Sequence, residues 1–257
     1  MTIDVSLLLA HAGTLTSSTP IVDQDARLLL KRDGDLAIYY LPFEYLNPDA
    51  RMVIVGITPG PTQLLGATRE AGALLRAGIE PAEVLRVSKR LAAFSGNPMR
   101  PNLIAQLNHW GVHEWLGLAD SGELFMTRAE RLVHNTSLVR NAAYVRGKPY
   151  AGSPKLLATP LLKAHLEENF VSEVRQLGPA TMYFSMGPVV EDVLKALVER
   201  GLLRPEQLMT GLCHPSPNNT YRIPYLTGNR TGPAPWKTNP RAYDEGRRRF
   251  RQVALGR

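Results

Sequence analysis

Four short apolar runs, each stopped by a cluster of Gly, Pro, Ser or Asn, constrain this chain more than any other feature. They are RMVIVG (51 to 56), ERLVHN (130 to 135), ATMYFSMG (180 to 187) and LMTGLCHP (208 to 215). Runs of this length, rich in β-branched or aromatic residues and bounded by turn residues, read as buried strands. Long amphipathic segments lie between them, including TREAGALLRAGIEPAEVLRVSKRLAAF, which Pro81 interrupts, RPNLIAQLNHWGVHEWL, and PVVEDVLKALVERGLL. Strands alternating with helices predict an α/β fold, three α/β/α layers around a central, mainly parallel four-stranded sheet. A further strand within DLAIYYLPFEYL (35 to 46) would pair at an edge of that sheet or cover one end. With no linker, low-complexity tract or repeat, the 257 residues are expected to form one domain, 1 to 257, with a basic C-terminal extension from about residue 226.

Charge and cysteine content narrow the function classes. From Asn218 onward there are nine Lys/Arg against two acids, an excess equal to the whole formal charge of +7. Clustered cations of this kind suit a polyanion, and they equally suit a solvated basic helix. The single cysteine, Cys213, excludes an internal disulfide and a four-cysteine metal site, and reads as a small buried side chain in a strand. The N-terminal apolar patch carries Asp4 in place of a basic leader region and is too short to span a bilayer. A soluble cytoplasmic protein, nucleoid-associated if bacterial, is the expectation, with no membrane partner and a monomeric state.

The polar residues gather where the strands end. ITPGPTQ follows the first run, HNTSLVRN the second, SMGP the third and HPSPNN the fourth. In an open α/β sheet the ligand crevice lies outside the carboxyl ends of the strands, so Thr58, Asn135 and His214 are candidates for one shared site. GITPGP is made rigid by two prolines and open to close approach by its glycines, although it lacks the Lys of a phosphate-binding P-loop; alone it is only a tight turn. HPSP holds Ser216 between Pro215 and Pro217, offering a hydroxyl and backbone N–H groups to a phosphate. The Asn135 amide can pair with an edge that sets C=O beside N–H, or simply cap a loop. Phe94 is either a platform for a base or the last core residue of a helix. HExxH, GxSxG and Cys/His metal spacings are absent, which predicts no metal and no cofactor.

Taken in order, GITPGP, LVHNTSL, SMG and HPSPNN resemble the uracil-DNA glycosylase superfamily, and most closely its single-strand-selective monofunctional branch. There the first loop reads Gly-Met-Asn-Pro-Gly-Pro, the second strand ends Val-His-Asn and the last motif is His-Pro-Ser-Pro. The approach PFEYLNPDARMVIVG is similar as well, so the resemblance covers about residues 35 to 225. It implies a monofunctional DNA glycosylase of base excision repair, acting on damaged single- or double-stranded DNA by base flipping. Phe94 would stack on the everted base, Asn135 would read its edge, and Gly56, Pro59 and Gly60 would line the pocket. His214 would donate a hydrogen bond to the oxygen that turns anionic as the base leaves. Pro215, Ser216, Pro217 and Asn218 would hold phosphates, while Tyr221, Arg222 and Ile223 would fill the vacated stack.

Thr58 departs from the pattern. Related enzymes carry a carboxylate or asparagine here to orient or activate water, or an acid one residue earlier, where this chain has Ile57. A threonine hydroxyl can position water but has no useful basicity, which predicts slow or selective turnover as a catalytic residue. Glu70 is the nearest downstream carboxylate. Two rival readings follow: a catalytically silent module that binds DNA or senses damage, and an α/β enzyme of free nucleotides or nucleosides.

Overall fold

The computed structural model describes residues 3–256, so Arg257, one of the nine cations counted above, and the first two residues of the N-terminal patch lie outside the described residues. The α/β class holds, but the single central sheet does not. Two four-stranded sheets form instead, one antiparallel and one parallel. The chain also divides into two compact units, each woven from three segments.

The first unit comprises residues up to Pro48, 57–95 and 135–176. Its antiparallel sheet, in the order β1-β2-β5-β6, contains β1 (Leu29–Asp33), β2 (Leu36–Tyr39), β5 (Ala142–Val145) and β6 (Lys148–Pro149). The run at 35–46 therefore pairs Leu36 with Val145 and Tyr39 with Ala142, rather than lying on an edge of the parallel sheet. The reason is local: Arg146 and Gly147 both take positive φ, 51° and 69°, the mirror-image turn that folds β5 back on β6 and gives β2 a ready partner. Helices α1 (Ser6–Thr16), α2 (Pro61–Arg76) and α3 (Pro81–Ala92) of the same unit pack on one another. Gly72 permits the α1–α2 approach, since a Cβ there would lie 2.2 Å from the Leu15 carbonyl oxygen. Residues 160–176 form one further helical stretch, α6 (Pro160–Leu166) and α7 (Ser172–Gln176) joined by a π-helical turn.

The second unit comprises 49–56, 96–134 and 177–257. It contains β3 (Met52–Gly56), β7 (Met182–Ser185) and β8 (Leu208–Met209), with Val53 opposite Tyr183 and Phe184 opposite Met209. The strand order is β4-β3-β7-β8, and β4 (Val133–Ser137) passes from this unit into the first at His134–Asn135. Its helices are α4 (Met99–Trp110), α5 (Val112–Leu116), α8 (Pro188–Glu199), α9 (Ile223–Leu226) and α10 (Pro240–Leu255). The basic C-terminal segment is built into this core. Tyr243 and Phe250 of α10 are fully buried, with ring centroids 5.7 and 6.1 Å from Trp110, while Arg248 and Arg249 face outward. Among the described residues, no helix is long and apolar enough to cross a membrane.

Candidate functional site

In the first unit, the loop after β3 is fixed at two points by side chains. The Thr58 hydroxyl donates to the Asn141 carbonyl at 2.8 Å and accepts from the Ala143 N–H at 3.0 Å. Its one proton is thus committed to structure, and a single lone pair is left. Pro59 is buried, and Gly60 caps α2 by donating its N–H to Gln63 Oε1 at 3.0 Å. The same Gln63 amide donates to the Ser95 carbonyl at 2.8 Å, tying this loop to the turn that carries Phe94.

Phe94 follows α3 with φ of 49°, a left-handed conformation unusual for a bulky residue, and is 8% exposed. Asn135, also 8% exposed, has an Oδ1 with no hydrogen bond among the described residues. A buried amide oxygen without a partner is costly, and it leaves an acceptor for an incoming N–H. Glu70 sits nine residues past the start of α2, about 13 Å along the axis at 1.5 Å per residue, and so not in the loop that holds Thr58.

Behind Asn135 lies a buried ionic cluster. Thr136, next in β4, donates its hydroxyl to Glu173 at 2.7 Å, and Arg140 pairs with the same carboxylate at 3.6 Å. Lys89, 3% exposed, donates to the Tyr45 carbonyl at 2.7 Å. Burial pushes the Glu44 carboxyl up to about 7 against the pull of Arg140 and Lys89, and pushes the Lys89 ammonium down to about 8.

In the second unit, the fourth predicted strand is shorter than the sequence suggests. β8 stops at Met209, so Cys213 and His214 belong to an irregular segment and not to a strand. Gly211 accounts for this: its φ is 103°, and a Cβ would lie 2.4 Å from the Ala242 carbonyl oxygen of α10. Two amides one helical turn apart on α4 hold the segment in place. Gln106 accepts from the Cys213 N–H at 2.9 Å and donates to the Cys213 carbonyl at 3.0 Å; Asn102 donates to the Pro215 carbonyl and to the Thr220 hydroxyl, both at 3.0 Å. These residues escaped sequence analysis because they sit within an amphipathic helix. Their signal is polar side chains spaced i, i+4 on the face that also buries Leu103, Leu107 and Trp110.

The geometry of His214 follows. The Ser216 N–H donates to its Nδ1 at 3.2 Å, which places the ring proton on Nε2. Burial holds the imidazole pKa below its ordinary value, so the ring is neutral at pH 7. Asn219 closes the turn by donating to the His214 carbonyl at 2.9 Å. Gly187 of the SMG motif, at φ of 92°, would place a Cβ 3.4 Å from that of His214. Gly56 ends β3 and is buried. Pro217 and Asn218 are exposed, Ser216 and Arg222 are partly exposed, Pro215 is buried, and Tyr221 is 40% exposed. Ile223, in contrast, is 3% exposed and packed inward, unavailable as a wedge. Thr58, Pro59, Gly60, Phe94 and Asn135 therefore belong to the first unit; Gly56, His214 to Asn218, Tyr221 and Arg222 belong to the second. Among the described residues, no three His, Cys, Asp or Glu side chains gather as a metal site.

Compared with known proteins, the chain is 29% identical over 220 residues to the "Uncharacterized protein YoxB" of Bacillus subtilis (strain 168), covering 85% of this chain and 84% of that protein. No family model and no solved structure matches the chain.

Proposed function

We propose that the protein is a monofunctional DNA glycosylase that everts uracil or a related damaged base and hydrolyses its glycosidic bond, leaving an abasic site. The observation that carries this reading is the Ser216 N–H donated to His214 Nδ1. It leaves a neutral imidazole presenting Nε2–H, a donor suited to a base oxygen that gains charge as the glycosidic bond breaks. In that reaction water adds to the sugar carbon, the base departs with the bonding electrons, and the resulting anion is protonated afterwards. Asn135, with its unpartnered acceptor, reads the base edge, and Phe94 stacks on it. Lysines are missing from the motif positions, so a Schiff base and strand scission are not part of the scheme.

One observation favours a second reading, a silent member that binds DNA without excising. The Thr58 proton is held by the Asn141 carbonyl, so the residue offers an attacking water only one weakly basic lone pair. Alkaline cleavage of oligonucleotides carrying uracil, 5-hydroxymethyluracil, hypoxanthine or xanthine, single-stranded and paired, decides between them. Cleavage by the wild type that His214→Ala abolishes supports the glycosylase. Binding without cleavage, with excision gained in Thr58→Asn, supports the silent module.

A further inference from the structure

A second surface, built only from residues of the second unit, carries exposed aromatic rings with cations on them. Trp236 is 74% exposed, more than any other large apolar side chain described. The Lys237 ammonium lies 4.2 Å from its ring centroid. Tyr221, 40% exposed, donates its hydroxyl to the Trp236 carbonyl at 3.2 Å and accepts from Arg222 Nε at 2.9 Å. The Arg222 guanidinium also stands 5.1 Å from the Tyr221 ring centroid. Two rings fifteen residues apart in sequence are thus joined through one hydrogen bond, each with a cation against it.

In the chain between these two rings, Gly228, Arg230, Thr231 and Gly232 line a cavity of about 460 Å³, in which Arg230 and Arg247 outnumber the one acid, Asp244. Among the described residues, Arg247 Nε is buried without a hydrogen-bond partner. A single exposed ring needs no explanation, but two exposed rings joined by a hydrogen bond and each carrying a cation make a patch, and its charge selects which partner it can have. A second copy would bring the same excess of cations and be repelled. A polyanion with flat, unpaired rings satisfies both features at once, because every base offers a π-face and every linkage a phosphate.

We propose that Trp236 and Tyr221 form a stacking platform for unpaired bases of single-stranded DNA, with Arg222, Arg230, Lys237 and Arg247 taking its phosphates. The choice of DNA rests on the glycosylase reading; the platform itself does not.

The test titrates the full chain into fluorescein-labelled oligo(dT), duplex of equal length or oligo(U), read by anisotropy across salt concentrations, with tryptophan fluorescence of the wild type followed alongside and during titration with anionic phosphatidylglycerol vesicles. Expected are quenching by oligo(dT), roughly tenfold weaker binding in Trp236→Ala with an unchanged salt slope, and recovery in Trp236→Phe. Arg230→Ala should lower the slope by about one. Oligo(dT) affinity unaltered in Trp236→Ala, or a signal from vesicles alone, overturns the proposal; tighter binding of oligo(U) overturns the choice of DNA. A protein that binds oligo(dT) through Trp236 yet excises nothing refutes the glycosylase and keeps the platform. Excision with oligo(dT) binding indifferent to Trp236 refutes only the platform.

Discussion

Replacing Glu44 with Gln should change how stability depends on pH, by an amount the structure sets. Both carboxylate oxygens are sealed from solvent, and burial raises the pKa from 4.5 to about 7 despite Arg140 and Lys89 nearby and the Tyr40 hydroxyl facing it. A group whose folded pKa is raised binds its proton more tightly in the folded state. Its contribution is therefore fully present below the unfolded value of 4.5 and is lost as pH rises through about 7. At 1.36 kcal/mol per pKa unit, the loss is about 3 kcal/mol. Glu44→Gln cannot titrate, so its stability relative to wild type should improve by about that amount between pH 4.5 and 7.5. Urea unfolding of both proteins across this range measures the difference directly. Lys89, held down to about 8, stays charged through most of the window and is common to both proteins. A stability difference independent of pH would refute the reasoning, since it would mean that Glu44 has the same pKa in the folded and unfolded protein.

Three further outcomes follow from the site. Gln106→Leu leaves the half-buried Cys213 N–H and carbonyl without this partner and should cost about 1–3 kcal/mol in urea unfolding; it should also lower any excision activity more than binding, because the His214 segment loses its clamp. Thr58→Val, similar in shape but without the hydroxyl, should cost about 1–3 kcal/mol, while Thr58→Ser recovers most of it; equal stability of the two would show that the bonds to Asn141 and Ala143 contribute nothing. Because burial lowers the His214 pKa, the neutral ring persists below the ordinary histidine range. The pH–rate profile of excision should therefore stay flat through neutrality and fall only in acid, with NMR of the imidazole nitrogens showing Nε2 protonated at pH 7.

The ends of β3 and β7 were legible because the signal is local, whereas Asn135 lies in the middle of β4 and His214 five residues past the end of β8. A buried strand such as Met52–Gly56 announces itself by five consecutive apolar or small residues and a Gly-Pro stop. The antiparallel sheet was not, because its decisive pairing joins Leu36 to Val145, more than a hundred residues away, and Ala142–Val145 is too short to stand out. Distance in sequence hid the site's supports in the same way. Gln63 reads as one more residue of an amphipathic helix until the Ser95 carbonyl appears beside it, and Gln106 gains meaning only with Cys213 in place. The length of β8 depended on Gly211 meeting a carbonyl of α10, a contact no local pattern encodes.

Thr58 shows how the two kinds of information combine. Its residue type is plain in the sequence and predicts weak activation of water; its partners, Asn141 and Ala143, are plain only in the fold and show that the hydroxyl ties the loop to the start of β5. A carboxylate at this position could accept from the Ala143 N–H but could not donate to the Asn141 carbonyl, and would set negative charge against that oxygen. An asparagine amide offers both a donor and an acceptor. The local hydrogen-bond pattern therefore tolerates Thr or Asn and disfavours Asp, which is why Thr58→Asn can test the chemistry without dismantling the loop. On the glycosylase reading, whatever rate enhancement the protein achieves must then come mainly from the leaving-group side. Excision should depend steeply on His214 and on how acidic the departing base already is, with weakly acidic bases turned over slowest.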